Sequence, residues 1–161
     1  MAAQTGRTVS KWVNIALDDS GGTLRNIPIN SLSIVGLVYE EQEITAWQDA
    51  VKGALPGQPD APIEISGPWD NTVVAAVGTL SGSHTVLNAI NGVNTPLTID
   101  IQFGVRHAWE SGEPQFGITS SAANGYLCMS YTVNPNDMTY SASFKLFPGS
   151  IAPAWGTTAE S

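Results

Sequence analysis

Residues 36–71 read GLVYEEQEITAWQDAVKGALPGQPDAPIEISGPWDN, and this stretch joins two strand-like runs. One run leads in at residues 32–39, and another leaves at residues 61–67 with Ile63 and Ile65 alternating about Glu64. Connections in compact domains are usually about 4–6 residues long, and those beyond about 12–15 tend to carry function. Thr45 and Gln48 stand at capping-box spacing, and Trp47, Ala50, Val51 and Ala54 recur at helical spacing, with Gly53 and Pro56 as the expected stop. The pattern predicts about two helical turns with a single apolar stripe. A stripe so short buries little against its own domain, so its expected use is to lie on another surface, such as a second copy of the chain.

Working outward, the neighbouring segments read as β-structure. Val9, Lys11, Val13, Ile15 and Leu17 share one face of an alternating run, Asp18–Gly22 is a turn, and residues 24–30 return, with Pro28 marking an edge or bulge. Residues 72–80 are small and apolar and read equally as a strand or as an extended insertion. Residues 83–91 carry Val86, Leu87 and Ile90 on one side, with Ser83 as the expected cap and Gly92 as the stop. This is the best helix in the chain.

Residues 97–103 alternate cleanly, which predicts a half-buried strand. Leu97, Ile99, Ile101 and Phe103 face the core in that reading, and Thr98, Asp100 and Gln102 face away. Residues 116–121, 126–133 and 138–147 complete the strands, the last two as a hairpin. Residues 148–161 form a tail without periodicity. The expected fold is mainly β: an antiparallel sandwich or barrel with one flanking helix and a long inter-strand loop. It forms a single domain over residues 1–161, with terminal arms at 1–6 and 148–161.

Composition agrees and excludes several functions. The chain has 161 residues, 16 Gly, 10 Pro and only 12% charged residues, the profile of a β-rich protein with many turns. A net charge of -8 argues against gripping nucleic acid, which requires Lys and Arg to displace counterions. The single cysteine, Cys128, allows no intrachain disulfide and is expected to be a small buried hydrophobe. No secretory signal or membrane span is visible, so synthesis in a reducing cytoplasm is expected.

The two histidines, His84 and His107, belong to no zinc pattern, and the imidazole of His107 near Glu110 reads as structural. Glu40, Glu41 and Glu43 read as a solvated charge run rather than a hydrolytic carboxylate pair. No active site, metal site or cofactor site is expected.

Five segments, taken in order, carry a family resemblance: DDSGGTLRNI at 18–27, ITAWQD at 44–49, ISGPWDN at 65–71, FGVRHAWE at 103–110 and GSIAPAWG at 149–156. Together they resemble the tail tube (major tail) proteins of long-tailed bacteriophages. That resemblance implies a β-sandwich or barrel core, six copies in a ring, rings stacked into a tube, and passage of double-stranded DNA through the channel without specific binding. It also implies a virion location, tape-measure and other tail proteins as partners, and use of the long connection and both termini to reach neighbours.

Glu40, Glu41, Glu43, Trp47, Val51 and Trp155 are the expected intersubunit contacts. Glu64 and Asp100 are the expected channel-lining carboxylates, since an acidic wall repels DNA over about 8–10 Å at physiological salt. The alternative is another virion β-sandwich, a capsid decoration or receptor-binding module.

Overall fold

The computed structural model describes residues 2–73 and 80–158. After a 3-10 turn at Ser10–Trp12, the elements are β1 (Val13–Asp18), β2 (Leu24–Asn26), β3 (Ser31–Leu32), β4 (Val38–Glu43), β5 (Ala54–Asp60), β6 (Ile63–Pro68), α1 (Ser83–Ile90), β7 (Ile99–Phe103), β8 (Gln115–Ile118), β9 (Tyr126–Asn134), β10 (Thr139–Leu146) and β11 (Ala154–Gly156). They form a five-stranded sheet in the order β11-β8-β7-β1-β2, a four-stranded sheet in the order β3-β6-β10-β9, and a separate two-stranded pair, β4-β5. Every strand pairing within the three sheets is antiparallel.

The core lies where the first two sheets face each other. Ile15, Leu17, Ile99, Ile101 and Ile118 come from the five-stranded sheet; Ile63, Ile65, Tyr126, Cys128, Tyr140, Ala142 and Phe144 come from the four-stranded one. Each set is spaced by two along its strand, as a sheet with one face on the core requires. Helix α1 closes the flank with Val86, Leu87 and Ile90. It stops where expected, at Gly92 with φ 74°. Its N-cap is Gly82 rather than Ser83. The Ser83 hydroxyl instead accepts from Asp70 N at 3.2 Å and donates to Pro68 O at 3.0 Å, anchoring the helix to the end of β6.

Four other expectations need correction. The 24–30 return shortens to β2, and the 32–39 run splits into β3 and the start of β4. The 148–161 tail contributes β11, which pairs with β8 through Ala154↔Gly117, Trp155↔Phe116 and Gly156↔Gln115. The long connection contains no helix: it is the β4-β5 hairpin. The undecided 72–80 run lies largely outside the described residues.

The outward row of β7 is also not solvated. Thr98, Asp100 and Gln102 are all buried, Asp100 completely. Asp100 sits between Ala16 and Gly117, and a Cβ on Gly117 would come 2.2 Å from its Oδ1. On either side of it the polar groups are matched: Asn14 Nδ2 donates to Gln102 Oε1, and Thr98 N and Ser120 Oγ donate to Asp18 Oδ2. Alternation marked the face correctly, but a hydrogen-bonded polar row does not have to be wet.

Candidate functional site

The β4-β5 arm is exposed along almost its whole length. Its register runs Val38↔Asp60, Tyr39↔Pro59, Glu41↔Pro56, Gln42↔Leu55 and Glu43↔Ala54, with an irregularity between Tyr39 and Glu41. Pro56 and Pro59 are tolerated because each strand of a two-stranded ribbon is an edge. Local hydrogen bonds fold the tip, residues 44–53. Ile44 N donates to Gly53 O at 3.0 Å, Thr45 Oγ1 accepts from Gly53 N at 2.7 Å, and Asp49 Oδ2 accepts from Ala46 N at 2.8 Å. Thr45 thus closes the hairpin tip instead of capping a helix.

All of β4 is exposed, and so are Ile44, Leu55 and Val51; Trp47 at the tip is 102% accessible. Such an isolated ribbon is marginal in water, and a run of uncovered large apolar side chains marks an interaction site. Glu40, Glu41, Glu43, Asp49 and Asp60 make the arm acidic, against a single Lys52.

The second feature is the 104–113 loop, on which both terminal segments lie. Gln4 N donates to Glu113 Oε1 at 3.3 Å, Arg106 Nη2 to Thr5 O at 3.2 Å, and Thr8 Oγ1 to Gly104 O at 2.6 Å. From the other terminus, Thr157 O accepts from Gly112 N at 2.8 Å, and Gln115 Nε2 bonds Thr158 O. The fully buried Glu113 organises the loop: Val105 N donates to its Oε2 at 2.7 Å, and His107 Nε2 lies 3.1 Å from its Oε1. The carboxylate that pairs with His107 is Glu113, which the sequence reading did not single out. Trp155, 55% exposed, already packs on its own chain, with ring centroids 5.5 Å from Phe103 and 5.2 Å from Phe116.

The third feature is the outer face of the four-stranded sheet. Register places Ser66, Ser141 and Thr132 in one row and Glu64, Ser143 and Ser130 in the next. Ser33 Oγ accepts from Glu64 N at 3.0 Å, and the Ser130 and Ser143 hydroxyls are 2.8 Å apart. Glu64 is exposed and opposite in face to the buried Ile63 and Ile65. Asp100 belongs to the other sheet and presents no surface, so the structure does not bring these two carboxylates onto one wall. The hydroxyl-rich face went unnoticed in the sequence because its serines are scattered across β6, β9 and β10. Strand alternation in all three was the available signal.

No group of three or more His, Cys, Asp or Glu side chains that could hold a metal occurs among the described residues. His84 Nδ1 lies 2.8 Å from Tyr131 Oη and its ring stacks at 5.2 Å from Trp69, a packing role. Cys128 is buried as expected; burial, only partly offset by a hydrogen bond with the Ser130 backbone, pushes the thiol up to about 11. No described helix is long and apolar enough to cross a membrane.

No family model and no curated protein matches the chain. Solved structures do. A chain of the sheath/tube terminator of an extracellular contractile injection system, PVC, in its extended state matches with TM-score 0.57 and 14% identity over 96% of this chain and 99% of that one. A chain of the anti-feeding prophage tube terminating cap gives 0.58 and 14%, covering 98% and 96%. A chain of the PVC sheath-tube complex gives 0.56 and 11%, covering 94% and 93%. At these identities the likeness shows the fold. That fold, nearly end to end, occurs in sheath/tube and tube-cap structures of contractile injection systems; a long-tailed phage protein is not among these matches.

Proposed function

We propose that this chain is a structural subunit of a phage-like tail tube, in which copies form closed rings, six to a ring, that stack through their arms. The observation that carries the reading is the arm. An isolated acidic hairpin with an uncovered Trp47 at its tip, on a fold shared over its whole length with chains from tube and cap assemblies, makes sense as a connector between copies. A ring is closed and heterologous, and stacking repeats the same contact without closing. Glu40, Glu41, Glu43, Trp47 and Val51 are the arm's contribution to that contact, and Trp155 with the terminal segments forms a second patch.

In this reading the channel wall is the hydroxyl face of the four-stranded sheet. Its charges are Glu64 and, further along β10, Lys145, so the wall is polar and near neutral rather than strongly acidic. Short hydroxyls hold water without offering phosphates a cation, which suits passage of DNA or another polyanion. Five of the chain's fourteen acidic residues sit on the arm instead.

Electron microscopy and sedimentation of the purified protein test the proposal. Hollow filaments with a regular axial repeat are expected. A protein that sediments as a monomer up to its solubility limit would overturn the reading.

A further inference from the structure

A groove of about 670 Å³ opens between the two sheets at the base of the arm. Val13, Ile29, Leu32, Val35, Phe103 and Trp155 give it an apolar floor, and Lys11 stands at its rim; no acidic residue lines it. We infer that this groove receives the arm tip of a second copy, with Trp47 as the inserted side chain and Lys11 facing the arm's carboxylates. The inference rests on the tube-subunit reading and adds the acceptor that the reading leaves open.

Three observations converge on that occupant. The groove is large enough for an aromatic side chain and its flanks, falling in the usual range of about 300–1,000 Å³ for sites that enclose a ligand. The arm supplies the matching apolar group, since Trp47 is fully exposed and Ile44 and Val51 are exposed beside it. Charge also matches. Of the six Lys and Arg residues, Arg25 is engaged by Asp19 and Arg106 by Thr5 O, whereas Lys11 is exposed on the groove with its Nζ 4.7 Å above the Trp12 ring and no carboxylate in a salt bridge with it among the described residues. The arm it would meet carries Glu40, Glu41, Glu43 and Asp49. Complementary charge at such a rim steers encounter and fixes register.

Geometry makes the contact directional. Six residues of β4 separate base from tip by roughly 20 Å at about 3.3 Å per residue, so one hairpin cannot fill the groove beside its own base. Tip-to-base contact therefore passes from one copy to the next, giving every subunit one donor end and one acceptor end.

The test pairs Ala46→Cys at the tip with Ser31→Cys on the groove, leaving Trp47 in place. Cys128 is buried and does not compete under mild oxidation. The assembled double variant is expected to give a ladder of disulfide-linked multimers, and each single variant at most dimers. Lys11→Glu is expected to raise the critical concentration for assembly about tenfold, and adding Glu43→Lys to restore it. Filaments that form normally without a ladder would overturn the groove assignment while sparing the tube reading. A double variant linked only into closed dimers would overturn the head-to-tail direction. A wild-type protein that never assembles would remove both readings.

Discussion

Tyr140 Oη donates to Pro28 O at 2.7 Å, tying the start of β10 to the segment that follows β2, 112 residues earlier in the chain. Tyr126 makes the equivalent tie from β9, donating to Ala61 O at 2.8 Å. Both rings are fully buried, so the two phenols are internal cross-ties of the four-stranded sheet.

Burial, with Asp60 nearby for Tyr126 and Tyr131 for Tyr140, holds both phenols well above their ordinary value. The unfolded chain loses these protons near pH 10. A raised folded value contributes stability that is fully present below that pH and lost as pH climbs toward the folded value. Each tyrosine therefore lowers stability by at most about 1.4 kcal/mol per pH unit above about pH 10. Thermal melts across this range should show the fall, and the phenolate absorbance of these two buried rings should appear together with unfolding. Tyr140→Phe should cost about 1 kcal/mol at neutral pH and flatten the alkaline decline.

The same corner forbids a side chain at Gly67. A Cβ there would lie 2.7 Å from Pro28 O and 2.9 Å from Ile29 Cα, both backbone atoms that cannot swing away. Gly67→Ala should destabilise the monomer by about 1–3 kcal/mol, the usual cost of overpacking. Chemical denaturation measures it; an unchanged midpoint would mean that the β2-β3 segment moves freely.

Trp47→Ala should separate stability from assembly. The side chain is fully exposed, so the monomer's unfolding free energy should change by no more than about 0.5 kcal/mol. Assembly should weaken by about 2 kcal/mol or more, as for aromatic anchors elsewhere. A collapse of the monomer's melting temperature would count against this.

Glu113→Gln should loosen the N-terminal segment. The carboxylate accepts from both Val105 N and Gln4 N, and an amide can present only one oxygen to two donors. A loss of about 1.5–3 kcal/mol is expected, as for hydrogen bonds to a charged group. Amide hydrogen exchange should speed up at residues 4–8 and 105–107 and stay slow in β7 and β10.

The sandwich was largely legible in the sequence because its signals are local. Gly92 ends α1, and the alternation of Tyr140, Ala142 and Phe144 defines β10 and its inner face. The arm was misread for a physical reason. Trp47, Val51 and Ala54 fall at helical spacing, yet none of the described residues covers them, and periodicity has force only when one face is buried. Pro56 and Pro59 pointed to an edge strand, and Gly53 closes the tip through Thr45. Asp100 failed in the opposite sense: its alternation is real, but Ala16 and Gly117 flank it in a buried row that no single strand reveals. Strand β11 is three residues long and exists only because the edge of β8 is there to receive it.

The 104–113 loop has a topological consequence. Ala3 lies against Gly112, where an added Cβ would be 3.1 Å from its own, and Gly112 N bonds Thr157 O. The beginning and end of the described chain thus meet at one point on the surface. A short linker across that gap, with a new opening cut in the turn between β9 and β10, would reorder the strands along the polypeptide while keeping every sheet pairing. Such a permuted chain would tell apart what the architecture needs from what its order of synthesis supplies.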